Sequence, residues 1–126
     1  LWEVNGLRIL LGDFFQLTKD DLQDCQAIYD RASLIALPPD MREQYASHLN
    51  QIAPPNQTLL ITLEYDQSIT GGPPFAVTPA EVEHYYAEHY QLEQLAHVDI
   101  SKSQHGLIAK GVGALYESIY LLRSKA

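Results

Sequence analysis

Three short apolar runs punctuate this chain, and each stops abruptly at charged residues. Leu7 to Leu11 leads into Gly12-Asp13-Phe14-Phe15, Ala27-Ile28-Tyr29 into Asp30-Arg31, and Thr58 to Leu63 into Glu64-Tyr65-Asp66. Continuous hydrophobic stretches suit buried parallel strands, and open α/β sheets take ligands just beyond the carboxyl ends of their strands. The pattern therefore predicts three strand ends on one edge of a sheet, crowding their charges into one crevice.

Between these runs the punctuation is that of alternating strands and helices. Asn5-Gly6 suits a two-residue primed turn, so residues 1–4 are expected to pair with Leu7–Leu11 as a hairpin. Thr18, with Asp20 and Asp21 behind it, reads as the cap of a short helix ending near Leu22. Gln26 to Asp30 is the second strand. Pro38-Pro39 opens a helix with Met41, Tyr45, His48, Leu49 and Ile52 at helical spacing, and Pro54-Pro55 stops it. Thr58 to Tyr65 is the clearest strand. Thr78-Pro79-Ala80-Glu81 is a capping box that starts a helix from Pro79 to about His89. Gln91 to Ile100 and Ala114 to Leu122 read as two closing strands with no helix between them, an antiparallel hairpin at one edge of a mostly parallel sheet.

Composition narrows the class. The chain has 126 residues, enough for one domain spanning 1–126, and its 46% hydrophobic and 19% charged fractions suit a globular fold. Eight Lys and Arg against sixteen Asp and Glu give a net charge of -8, which argues against a nucleic-acid partner held by phosphate neutralisation. A single cysteine, Cys25, provides no internal disulfide and no multi-Cys zinc cage, as suits a reducing compartment. No apolar stretch approaches the roughly 18 residues of a spanning helix, and no signal-peptide pattern is present. The expectation is a cytoplasmic protein without a membrane partner. The chain opens on Leu1-Trp2 and enters a strand almost at once, so it is read as starting inside a domain whose N-terminal part is missing.

The strand-end residues carry the candidate chemistry, each open to two readings. Asp13 can accept from a base amino group with Phe14 or Phe15 stacking on a purine, or it can cap a turn with both rings in the core. Arg31 can present a forked donor to an anionic or heteroatom ligand, or pair locally with Asp30. Glu64-Tyr65-Asp66 with Gly72-Pro73-Pro74-Phe75 forms either a lid, in which consecutive prolines make a stiff extended wall beside a flat Phe75 ring, or a rigid surface loop. His84 and His89 are spaced by five, which does not share a helix face as zinc ligands would, His48 and His97 suit half-buried positions, and His105 falls in a loop; no metal is expected. Cys25 has no basic neighbour in sequence to activate it. No nucleophile elbow, P-loop or G-x-G-x-x-G is present.

Read in order, Gly12-Asp13-Phe14-Phe15, Tyr29-Asp30-Arg31-Ala32-Ser33-Leu34-Ile35-Ala36-Leu37-Pro38, Leu60 to Asp66 with Gly72-Pro73-Pro74-Phe75, and Leu115 to Leu122 resemble the C-terminal part of the thiopurine S-methyltransferase family. The resemblance covers nearly the whole chain. It implies an α/β fold: a seven-stranded Rossmann-like methyltransferase sheet, mostly parallel with an antiparallel C-terminal hairpin. It also implies S-adenosyl-L-methionine as cofactor and methyl transfer to the sulfur of thiopurines or similar aromatic and heterocyclic thiols, with selenium and tellurium compounds as further acceptors. By position, Asp13 and Phe14 match the pair bordering the adenine, Arg31 the arginine near cofactor and substrate, and Pro73, Pro74 and Phe75 the loop over the acceptor. The family's first two strands, its glycine-containing cofactor loop, its ribose-binding acid and its aromatic lid have no counterpart here. A second arginine found in some members before the last strand is absent too, and Gln104 to Lys110 supplies His105, Gly106 and Lys110 instead.

In this reading Arg31 holds negative charge on the acceptor or a polar edge of the cofactor, and catalysis rests on positioning in a dry pocket rather than on acid–base help, with no residue assigned a catalytic proton transfer. The partner is a small-molecule thiol, and the full-length protein a monomer. The alternatives are a non-catalytic fragment that associates through an exposed sheet edge, or a methyltransferase for a small oxygen or nitrogen acceptor.

Overall fold

In a computed structural model that describes residues 2–69, 71–102 and 111–125, two sheets form. Asn5 and Gly6, at φ 49° and 83°, close the expected primed turn, and strands β1 (Trp2–Val4) and β2 (Leu7–Ile9) pair antiparallel across it. This hairpin stands apart as its own sheet. Leu7 to Leu11 is thus not the buried parallel strand that its apolar run suggested: Leu7, Ile9, Leu10 and Leu11 are all exposed, because among the described residues the ribbon pairs only with itself.

The main sheet has four strands in the order β3 (Ala27–Asp30), β4 (Gln57–Glu64), β6 (Tyr116–Ser124) and β5 (Tyr90–Asp99). The β3–β4 pair is parallel, and β6 is antiparallel to both of its neighbours. The carboxyl ends of β3, β4 and β5 therefore point to the same rim, and only β6 runs against them. The closing hairpin lies at the sheet edge as expected, with its second strand on the inside. The observed fold is α/β with a mixed sheet.

Helices α1 (Pro39–Ile52) and α2 (Pro79–Tyr86) pack on one face of this sheet. Tyr45, Leu49 and Ile52 from α1 and Val82 and Tyr86 from α2 join Leu60, Tyr120 and Leu122 in the core. Strand alternation sends Tyr29, Leu59, Ile119 and Leu121 to the other face, where Tyr29 is exposed and the rest are half-buried. Pro39 takes the first helical position of α1, as the double proline predicted. The inner stripe of α1 differs from expectation, since Met41 is exposed and Arg42 is buried beside Tyr45, Ala46 and Leu49. The Thr78 box forms as written, with Glu81 N–H donating to Thr78 Oγ1 and Thr78 N–H to the Glu81 carboxylate. Helix α2 ends at Tyr86 rather than near His89, because the chain turns there to put buried Tyr90 at the start of β5. The short helix expected after Thr18 is a 3-10 turn over Lys19–Leu22, tied by the Asp21 carboxylate to the Thr18 N–H and hydroxyl.

Candidate functional site

Asp30 ends β3 with its side chain buried against α1. Its carboxylate accepts from Tyr45 Oη at 2.7 Å and from the amides of Ser33 and Leu34, both at 3.3 Å. Those bonds turn the chain immediately after the strand and place Leu34 in the core. Burial and then the Asp30 charge push the Tyr45 phenol well above its ordinary range, since ionising it would set two anions side by side. With both carboxylate oxygens so engaged, the local Asp30–Arg31 pair does not form. Arg31 is exposed at the rim and has no hydrogen-bond or ion-pair partner among the described residues. The local-pair reading is thus set aside, and Arg31 stands as a free cation among the described residues.

The register sets β3 and β4 unequal at this rim. Asp30 lies opposite Leu60, so β4 continues four residues further to Glu64. The segment after β3 fills that step: Leu34 is buried, and Ile35 packs against the Leu63 cluster. The loop after β4 then folds onto it, with Phe75 N–H donating to the Ile35 carbonyl at 2.6 Å and Val77 N–H to the Leu63 carbonyl at 2.8 Å. Tyr65 Oη donates to the Pro74 carbonyl, and Gln67 Oε1 accepts from Ala76 N–H at 2.7 Å. The bonds to Ser68 hold the Asp66 carboxyl below its usual range. The structure thus joins the Arg31 segment to Pro73, Pro74 and Phe75.

That loop is not the stiff extended wall expected of two prolines. The Gly72–Pro73 and Pro73–Pro74 peptide bonds are cis. Gly72 sits at φ 77°, where a Cβ would come within 2.8 Å of the Phe75 ring, so glycine is needed for the ring to fold back. Side-chain bonds from Tyr65 and Gln67 grip both arms of the turn and keep it compact.

Asp13 and Phe14 lie elsewhere. Asp13 Oδ1 accepts from Phe15 N–H at 2.9 Å and caps a 3-10 turn over Phe14–Gln16. The Phe14 ring packs 4.8 Å from that of Tyr45 and meets His48 edge-on. An open cleft of about 300 Å³ runs past Asp13 and Phe14, walled by Leu10, Leu11, Leu17 and Asp21, and Arg31 does not line it. The single crevice expected of three strand ends is therefore two neighbouring places, because the first run never enters the main sheet. Tyr45 links them, its ring on Phe14 and its hydroxyl on Asp30.

A third group lines the rim beyond β4. Ser118, fully buried on β6, donates to the Glu64 carboxylate, and His97 Nδ1 lies 3.0 Å from Ser118 Oγ with its ring stacked on Tyr116. An irregularity between Gln94 and Ala96 on β5 lets both Gln94 and His97 reach Ser118. His97, expected half-buried, is exposed. Among the described residues no three His, Cys, Asp or Glu side chains converge to hold a metal, and no helix is long and apolar enough to cross a membrane. The Gln104–Lys110 stretch falls outside the described residues.

The sequence reading missed Arg42, Glu81 and Ser118 as parts of this rim. Arg42 left one signal, a charged residue on the inner stripe of an amphipathic helix. Ser118 left none, since its partners come from two other strands.

Compared with known proteins, the chain matches the family model described as thiopurine S-methyltransferase over residues 1–125. It is 47% identical over 119 residues to the thiopurine S-methyltransferase of Pseudomonas paraeruginosa, covering 94% of this chain and 55% of that protein. To its counterpart in Nitrosospira multiformis it is 45% identical over 125 residues, covering 98% and 57% respectively. A probable thiopurine S-methyltransferase from Yarrowia lipolytica is 50% identical over 99 residues, or 79% of this chain and 46% of that protein. The chain spans about half the length of the curated relatives it matches.

Proposed function

The chain belongs to the thiopurine S-methyltransferase family, and from that footing we propose that it carries the acceptor side of an S-methyltransferase. The donor is S-adenosylmethionine and the acceptors are thiopurines or similar aromatic and heterocyclic thiols, with selenium and tellurium compounds as further candidates. One observation carries the reading. The Phe75 N–H to Ile35 bond ties the free cation's segment to the aromatic loop at the carboxyl rim of the sheet, where α/β folds take ligands.

The residues present fit the cofactor in two separate pieces. Asp13, exposed and with only one carboxylate oxygen engaged, stands beside an apolar cleft suited to a purine edge and face. Arg31 suits a carboxylate. When bound, the cofactor supplies a methyl group activated on a sulfonium sulfur. Arg31 would hold negative charge on the acceptor or the cofactor, and Phe75 would offer a flat face to an aromatic ring. Tyr65 and Gln67 keep that face in place by gripping the loop. Aromatic and heterocyclic thiols ionise more readily than alkyl thiols and are partly thiolate near neutral pH, so positioning and exclusion of water supply most of the rate.

The same reading takes the four-stranded sheet as the C-terminal portion of a Rossmann-like methyltransferase sheet. Among the described residues the outer edge of β3 is unpaired and the face bearing Tyr29 and Leu59 is covered only near Leu63, by Val112 and Leu115, and the relatives are almost twice as long. It further takes the full-length protein as a cytoplasmic monomer acting on a small thiol. That open edge also favours a second reading, a non-catalytic piece that pairs through β3.

Calorimetry on the protein at full length tests the first reading. S-adenosylmethionine and an aromatic thiol should both bind, and Arg31→Ala should weaken one of them about tenfold or more, the loss of a charged hydrogen bond. Affinities unchanged by that substitution would remove Arg31 from the site. Absence of all cofactor binding would favour the second reading. Product analysis with thiols, phenols and amines in parallel separates sulfur from oxygen and nitrogen acceptors.

A further inference from the structure

Arg42 occupies a place that helical periodicity reserves for an apolar side chain. It is 1% exposed on the inner face of α1, among Tyr45, Ala46 and Leu49. Moving a guanidinium there carries a large desolvation cost, and a buried ion pair often returns no more stability than a well-packed apolar side chain. What such a pair does provide is geometry, because the planar fork has few ways to satisfy its donors.

The partners of that fork all belong to the walls of the rim. Arg42 Nη2 donates to the Leu37 carbonyl at 3.1 Å, at the end of the segment that begins with Arg31. Nη1 donates to the Glu81 carboxylate in the first turn of α2, where the loop after β4 ends. The guanidinium carbon lies 6.0 Å from the centroid of the Phe75 ring. Glu81 is itself anchored by Thr78 N–H and Tyr85 Oη, both at 3.3 Å, so the exit of the loop cannot drift while the pair holds. Among the described residues Nε is buried without a hydrogen-bond partner, a further sign that the side chain serves its two outer nitrogens at the expense of the third.

We propose that Arg42 is the positioning residue of the acceptor loop: by clamping Leu37, Glu81 and Phe75 together it fixes where the Phe75 ring stands relative to Arg31, and so sets the affinity for an aromatic acceptor. The affinity half of this claim rests on the reading of the rim as the acceptor side; the loop-ordering half does not.

Hydrogen exchange on the full-length protein without ligands tests the ordering. Arg42→Lys keeps the charge and loses the fork, and it should speed exchange at the Phe75 amide about tenfold while the amides of Leu60 to Leu63 stay as they were. If Arg42→Lys does not fold, Arg42→Met with Glu81→Gln removes both charges at similar volume, and the same selective loosening is expected. No change at Phe75, or equal acceleration across β4, overturns the proposal. In steady-state kinetics Arg42→Lys should raise KM for an aromatic thiol about tenfold, with kcat and the KM of the methyl donor within about twofold. An unchanged thiol KM, or an equal rise in both, overturns the affinity half. If the unaltered protein forms no thioether at all, it is the proposed function that fails, and the exchange result still decides the role of Arg42 in the loop.

Discussion

Leu7 to Leu11 and Thr58 to Leu63 look alike in sequence and finish in opposite environments. Leu60 is fully buried, and Leu11 is 87% exposed. The difference lies in what flanks each run. Strand β4 has β3 on one side, β6 on the other and two helices over one face, whereas among the described residues β2 pairs with β1 alone. An apolar run becomes core only where other layers arrive to cover it. The chemistry at the two ends follows suit. Asp13 spends its engaged oxygen on its own turn, while the stretch from Glu64 to Phe75 is held from the β3 loop, from β6 and, through Arg42 over the Phe75 ring, from α1. Among the described residues, the second end is the one tied down by bonds from distant parts of the chain.

That contrast can be broken most forcefully in the core. Leu60→Ala should cost about 3 kcal/mol in chemical denaturation, as a fully buried leucine does, and Leu11→Ala should cost under about 0.5 kcal/mol. Equal losses would mean that the hairpin is packed as tightly as the sheet. Next comes the rim itself. Asp30→Ala strands the Tyr45 hydroxyl and two amides, and a loss of about 2 kcal/mol is expected; a loss as small as that at Leu11 would show that the turn after β3 does not depend on the carboxylate.

Alkali probes the same contact more gently. The phenols of Tyr45 and Tyr86 are raised, first by burial and then by the Asp30 charge. A raised folded pKa gives stability that is fully present below the unfolded value, near 10 for tyrosine, and that is lost as pH climbs above it toward the folded values. Absorbance at 295 nm should therefore show Tyr45 and Tyr86 ionising only together with unfolding. Early, reversible ionisation of both would contradict the burial of the Asp30–Tyr45 pair.

Local chemistry was legible wherever a few adjacent residues suffice. Asn5-Gly6 fixes its turn, Thr78 and Glu81 close their box, Pro39 starts α1, and the Thr58–Leu63 run marks β4 within a residue. Partnerships across the chain were not. Arg42 and Glu81 are 39 positions apart, and Ser118 and Glu64 are 54 apart. Periodicity tells which face of a helix turns inward, and it was Arg42 rather than Met41 that took the place, because a carboxylate waited there. Likewise, the apolar content of Leu7 to Leu11 could not say whether a neighbouring strand would arrive. The candidate site was legible as residue types at strand ends, and its division into two places was not.

The central claim is that the rim joining Arg31 to the Gly72–Phe75 loop receives a thiol for methylation. The most direct measurement incubates the full-length protein with S-adenosylmethionine labelled in its methyl group and an aromatic thiol, and follows the label by mass spectrometry. The account predicts a labelled methyl thioether whose formation falls about tenfold or more with Arg31→Ala. Label remaining on the donor while both compounds are shown to bind would contradict it.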